Sequence, residues 1–178
     1  MTCMISAADV EAAAENLVGT VRQTELLPNA RLSESTGAQV LLKREDLQPV
    51  RSYKLRGAYH MMSRLTSDER AAGVVCASAG NHGQGVAYSA ALLGIHARVF
   101  CPTNTPRQKR NRMRDLGGEW IELVLEGTTY DEAAAAAREA AGGTGAIQVP
   151  AFDHEQIIAG QGTVASEIVQ QLGAAPDV

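Results

Sequence analysis

No apolar run in this 178-residue sequence is long enough to cross a membrane, which excludes a transmembrane helix. The first residues, "MTCMISAADVEAAAEN", carry acids early and lack a basic start followed by an apolar stretch, so they do not read as a secretory signal. Cysteine is scarce. Cys3, Cys76 and Cys101 are odd in number, form no CxxC and show no metal spacing, so a reduced, cytoplasmic setting is expected. Positive charge is not in excess: the formal net charge is -4, which argues against a nucleic-acid binder. The one basic run, "RQKRNRMR" at 107–114, has no interleaved aromatic residues and reads as a solvated helix face. No residue-level repeat and no long low-complexity linker is present.

What is there fits a soluble globular protein with a buried core, at 45% hydrophobic and 20% charged residues. The length has room for one ordinary domain or two small lobes. "AADVEAAAENLV" (7–18) predicts a helix with Ser6 as N-cap and Gly19 as the stop. Residues 21–37 read as a loop with a short helix, punctuated by Pro28 and Gly37, and "AQVLLKRED" as a strand. A helix is expected after Pro49, with Ser52 as its cap and Lys54 in its first turn.

The pattern then becomes regular. Strands are expected at 74–78, 97–102, 119–124 and 146–150, and helices at 83–94, 106–117, 129–143 and 154–173, with Pro106 opening the second of these. Strands alternating with helices at such short spacing predict βαβ units, a parallel sheet and helices on both of its faces. The final "APDV" looks like a helix-to-strand connection with Val178 as the first strand residue, so the fold is expected to be truncated.

Two features could carry chemistry. "ASAGNHGQG" (77–85) lies between a strand and a helix; Gly80, Gly83 and Gly85 leave the backbone free to turn and approach a ligand. N–H groups at the helix start favour an anion there, and Asn81 and His82 add directional polar groups. The order is G-x-x-G-x-G, not the dinucleotide order, and Arg98 and Val99 stand where an acid ~20 residues on would be needed. No Gly-Lys-Ser/Thr follows, so it is not a Walker loop; a bland tight turn is the alternative. Lys54 is the second feature. A lysine in a first helical turn is usually a solvated charge. Partly buried by Tyr53 and Leu55, it would instead have its charged form disfavoured, and a neutral amine is what Schiff-base chemistry needs.

Other motifs fail. "HEQII" has Ile158 where a second zinc-ligand histidine would stand; His60, His82, His96 and His154 are scattered, so no metal site is expected. No G-x-S-x-G elbow occurs. Met61 and Met62 read as packing, and Cys76 as a small buried strand residue.

"LLKREDLQPVRSYKLRGAY" followed by "ASAGNHGQGVAYSAALLG" resembles the threonine dehydratase (threonine ammonia-lyase) family, pyridoxal-phosphate enzymes of the tryptophan-synthase-β-like fold, fold type II. "TPRQKRNRMRDLGGEWIEL" and "FDHEQIIAGQGTVASEI" look like further stretches of it, and the likeness runs from about residue 20 to the end. The resemblance implies that Lys54 holds the cofactor aldehyde covalently. Tyr53 would lie against its ring, and Asn81 would bond the ring hydroxyl. Ser78, Gly80, Asn81 and His82 would hold the amino-acid carboxylate. It implies an α,β-elimination in which Lys54 removes the Cα proton, giving 2-oxobutanoate and ammonia from L-threonine and pyruvate from L-serine. It also implies a place in isoleucine biosynthesis.

By the same resemblance, residues 1–54 belong to a larger cofactor lobe, 55–155 form a smaller α/β lobe, and 156–178 return to the larger one. The phosphate-binding loop and the group facing the pyridine nitrogen fall outside these residues. The chain is therefore expected to bind the cofactor weakly alone, and to act as a homo-oligomer or with a complementary chain. Two rivals stand beside this reading. One is serine dehydratase or amino-acid racemase chemistry on the same fold. The other is an incomplete subunit that acts by association with a partner.

Overall fold

Four parallel strands organise the chain in the computed structural model, which describes residues 5–177; Cys3 and the strand start expected at Val178 lie outside the described residues. They are β3 (Val74–Ala77), β4 (Ala97–Cys101), β5 (Ile121–Leu125) and β6 (Ile147–Gln148), in the order β5-β4-β3-β6. Val74 pairs with both Ala97 and Ile147, and Ala97 with Ile121. Side chains alternate across this sheet with period two. Val75 and Phe100 face one side, against Ala133 and Ala137 of α7 (Tyr130–Thr144). Val74, Cys76, Val99 and Cys101 face the other. There they meet Val86, Ala87 and Ala90 of α5 (Asn81–Leu93) and Met113 of α6 (Arg107–Gly117). A parallel sheet with helices on both faces is thus the architecture, as the strand–helix alternation predicts.

Helices from both ends of the chain gather on the α5 side. The helix α3 (Lys54–Ser63) adds Ala58, Met61 and Met62 to that core, and α8 (Glu155–Leu172) adds Ile157. Helix α1 (Ala7–Asn16) lies against α8. Ser6 caps α1 as expected, with Asp9 reciprocating in a capping box. The helix closes at Leu17, two residues before Gly19.

Several expectations are corrected. The strand expected over 38–46 is only β2 (Leu41–Lys43), because Glu45–Leu47 turn as a 3-10 helix, and it pairs antiparallel with β1 (Leu26–Pro28), inside a segment that reads as loop. Pro28 hid β1, yet in a two-stranded sheet it sits on an edge, where its missing N–H costs nothing. Helix α2 (Ala30–Thr36) is the short helix expected there; α4 (Ser67–Ala72) is not foreseen, although Thr66 and Glu69 form a capping box. Pro106 is the residue before α6, not its first. Ser52 does not cap α3: its hydroxyl is buried without a partner, and Tyr53 occupies the cap with helical angles.

Candidate active site

The site begins with how the chain enters α3. Arg51 takes the left-handed backbone region at φ 58°, and its N–H donates to the Gln48 carbonyl at 2.8 Å, closing a tight turn. Arg112 braces that turn by donating to the Pro49 carbonyl at 2.8 Å. Lys54 follows as the first residue of α3. Its half-buried amine donates to the Ala151 carbonyl at 2.7 Å and lies 5.4 Å from the centroid of the Tyr53 ring. Burial disfavours the ammonium and lowers the Lys54 pKa from its ordinary value.

Two residues on, Arg56 anchors the helix. It is 1% exposed, donates to Glu45 at 2.7 and 2.9 Å and to Glu167 at 2.7 and 3.0 Å, and reaches Thr163 at 3.0 Å. Lys43 pairs with the same Glu167, and Thr24 donates to Glu45 at 2.6 Å. This buried network ties the N-terminal segment, α3 and α8 into one unit beneath Lys54.

The glycine loop packs on the start of α3. The helix α5 begins at Asn81, two residues before the expected start, so Asn81 and His82 occupy its first turn. The Ser78 hydroxyl oxygen accepts from the N–H groups of Gly80 at 3.1 Å and Gly83 at 2.8 Å, replacing a side-chain cap. The N–H groups of Asn81 and His82 find no acceptor among the described residues. They are free donors at the positive end of a 13-residue helix.

The glycines divide in role. A Cβ on Gly80 would meet nothing within 4 Å, so that side of the loop is open to a ligand. Gly83 and Gly85 lie inside α5 and serve contact with the protein, not turning. A Cβ on Gly83 would come 2.9 Å from the Met113 sulfur, and one on Gly85 would come 3.0 Å from the Lys54 carbonyl oxygen. The loop and the lysine are therefore held together by backbone contact.

His82 is turned inward and is 4% exposed. Its Nε2 lies 2.8 Å from the Val149 carbonyl oxygen, which can only accept, so Nε2 carries the proton and Nδ1 is a bare acceptor. Nδ1 is buried with no partner. Burial, with the Lys54 charge adding to it, lowers the His82 pKa to about 4, so the ring is neutral. What His82 offers the open side of the loop is its main-chain N–H.

Thus Lys54, Tyr53, Ser78, Gly80, Asn81 and His82 converge where α3 and α5 begin. Sequence reasoning missed the Val149 and Ala151 carbonyls, because any residue supplies a carbonyl. It also missed the network of Arg56, Glu45 and Glu167; a charge at position 56 amid Leu55, Gly57 and Ala58 was the available signal. No group of three His, Cys, Asp or Glu among the described residues could hold a metal ion. A half-buried amine with a lowered pKa beside free N–H donors fits a ligand that joins an aldehyde to an anionic amino acid.

A family model described as pyridoxal-phosphate dependent enzyme matches residues 17–178. The chain is 56% identical over 174 residues to "L-threonine dehydratase biosynthetic IlvA" of Mycobacterium tuberculosis, covering 98% of this chain and 41% of that one. Among solved structures, the processed form of threonine deaminase isoform 2 from Solanum lycopersicum superposes with a TM-score of 0.81 at 38% identity, over 93% of this chain and 46% of that one. Maize serine racemase superposes with a TM-score of 0.88 at 25% identity, over 95% and 50%. The chain spans about two fifths of the length of the curated relative it matches. It belongs to the pyridoxal-phosphate dependent enzyme family.

Proposed function

We propose that this member of the pyridoxal-phosphate dependent enzymes carries the lysine and the carboxylate loop of a threonine dehydratase, converting L-threonine to 2-oxobutanoate and ammonia and L-serine to pyruvate and ammonia. One observation carries the reading: Gly85 holds the start of α5, with its two free N–H groups, against the backbone of the residue that carries the amine.

In this proposal Lys54 is the residue that would hold the cofactor, through its Nζ, and its free amine would be the base for the Cα proton of the amino acid. Burial makes that amine easier to deprotonate, as a base requires. Bound pyridoxal phosphate supplies an aldehyde for the amine and a ring that accepts the electron pair left by that proton. Tyr53, 43% exposed, would offer its ring as a wall for the cofactor, and Asn81 would offer its side chain to the cofactor's hydroxyl. The substrate carboxylate takes the N–H groups of Asn81 and His82, with Ser78 shaping the loop and Gly80 leaving room for it. The substrate's β-hydroxyl would leave as water with the proton that Lys54 took up, and addition of one water to the released enamine would give the oxo acid and ammonia.

The same reading assigns the β1–β2 sheet and α8 to a larger lobe and residues 55–155 to a smaller one. Segments that the relatives carry beyond the matched part would complete the phosphate cradle, from the same chain or from a second one in an oligomer. Buried free thiols at Cys76 and Cys101 suit a reducing cytoplasm.

The test is a borohydride trap. The chain has three lysines, at 43, 54 and 109, so mass spectrometry maps a reduced pyridoxal-phosphate adduct cleanly. Label should concentrate on Lys54 and vanish from that peptide in Lys54→Ala. Equal labelling of Lys109 would sink the reading. The fit to maize serine racemase supports a second reading, racemisation, which needs a second base on the far side of the substrate. D-serine from L-serine, in place of pyruvate, would favour it.

A further inference from the structure

We propose that His82 is a positioning residue for Lys54, acting through the turn 149–153: by holding the Val149 carbonyl it sets where the Ala151 carbonyl, and so the lysine amine, comes to rest.

The turn has little else to fix it. The Val149 N–H donates to Val75 at 2.9 Å, and the next backbone–backbone hydrogen bond along the chain is from Ile158 to His154 at 2.8 Å. Residues 150–153 make none with the backbone of any described residue. Phe152 is 67% exposed, Asp153 sits in the left-handed region at φ 54°, and a cavity of about 140 Å³ borders Val149 to Phe152. Two side-chain bonds remain: His82 Nε2 to the Val149 carbonyl at 2.8 Å and Lys54 Nζ to the Ala151 carbonyl at 2.7 Å. Both donors belong to the site, one from each helix start.

The ring is built for this one bond. A carbonyl acceptor fixes the Nε2–H tautomer, and that choice leaves Nδ1 orphaned in the interior. An orphaned acceptor has a cost that a purely apolar residue of the same shape would not carry. The residue that carries a free N–H of the loop and the Lys54 amine therefore share one reference point, the turn 149–153.

The inference rests on the proposed function only for what the amine does. The positioning itself is read without cofactor, so its failure is separate from failure of the dehydratase reading. The experiment uses the full chain labelled with nitrogen-15, free of pyridoxal phosphate, at mildly acidic pH. A half-buried lysine ammonium held by a hydrogen bond exchanges its protons more slowly than a solvated one, slowly enough to be observed at that pH, and Lys54→Met identifies the signal.

His82→Gln places an N–H where Nε2 stood and should retain the signal. His82→Leu, which keeps bulk, and His82→Asn, whose amide is too short to reach Val149, should speed the exchange by about tenfold or more, as loss of a bond to a charged group implies. Val86→Ala, in the same helix and facing the core, is the control: it lowers stability and should leave the signal alone. Wild-type exchange in the folded Leu and Asn variants would overturn the proposal. So would loss in the Gln or Val86 variants as large as in the Leu variant.

Discussion

Gly85 packs directly on the peptide group of Lys54, its missing side chain leaving room for the Lys54 carbonyl oxygen 3.0 Å from where a Cβ would stand. Because the neighbour is backbone, it cannot swing aside. Gly85→Val should therefore cost about 1–3 kcal/mol of stability through overpacking and push the lysine away from the loop. Urea unfolding measures the first effect. The second should appear as a lower share of borohydride-trapped label on Lys54 under conditions where the variant is still folded. Unchanged labelling would mean that the contact packs the helices without placing the amine.

A similar crossing lies on the other side of α3. A Cβ on Gly160 would fall 2.7 Å from Gly57 Cα and 2.8 Å from the Arg56 carbonyl oxygen. Helix α3 is thus pressed between α5 and α8 at glycines, and Arg56 emerges at that crossing into its two carboxylates. In Arg56→Met those carboxylates lose the partner that offsets their burial. A loss of about 3–5 kcal/mol is expected, the range for breaking one side of a buried pair.

The acid response of that variant should change sign. In the native protein burial pushes the Glu45 pKa up, but hydrogen bonds from Arg56 and Thr24 outweigh it, and the net shift is downward. A lowered carboxylate stabilises the fold above its unfolded pKa and withdraws that stability as pH falls through the folded value, below about pH 4. Without Arg56, burial, the largest influence on Glu45, is opposed only by the hydrogen bonds from Thr24 and Gln48, and Glu45 favours its neutral form. Stability of Arg56→Met relative to the native chain should then recover between about pH 6 and pH 4. Denaturant midpoints across that range decide it.

His82 gives a second pH signature of defined sign. Its folded pKa is about 4, below the ordinary histidine value, so the unfolded chain binds the extra proton first. Stability from the neutral ring is complete above about pH 6.5 and falls as pH drops towards 4, by at most about 3 kcal/mol. His82→Gln should remove most of that slope while keeping the bond to Val149. A slope equal to the native one in that variant would assign the effect to other groups.

Strand–helix alternation made the sheet legible because Val74, Cys76, Val99 and Cys101 all point to one face and both faces are covered, giving short apolar runs separated by longer helical segments. The lysine and the glycine loop were legible for a different reason: their residue types are rare in such company. Three things were hidden. The strand β1 was masked by Pro28, whose backbone is tolerated only because its sheet has two strands. The roles of Gly83 and Gly85 were misread, since a glycine that admits another helix looks the same in sequence as one that admits a ligand. The turn 149–153 acts through carbonyls, which every residue possesses.

Ser78 offers the most direct test of how the loop is built. Its hydroxyl oxygen takes the N–H groups of both Gly80 and Gly83, and Gly83 is buried. Ser78→Ala leaves the Gly83 N–H without an acceptor, at a cost of about 1–3 kcal/mol. It also frees the Gly80 end of the loop, so that the Asn81 and His82 N–H groups no longer point together. Ser78→Thr keeps the oxygen and should restore both properties if its extra methyl group is accommodated. The measurement is a titration with a simple carboxylate, followed by the amide resonances of Asn81 and His82. The native chain and the Thr variant should show saturable shifts of those two amides, and the Ala variant should show none. Shifts that survive unchanged in Ser78→Ala would mean that the start of α5 alone orients the donors and that the hydroxyl serves stability only.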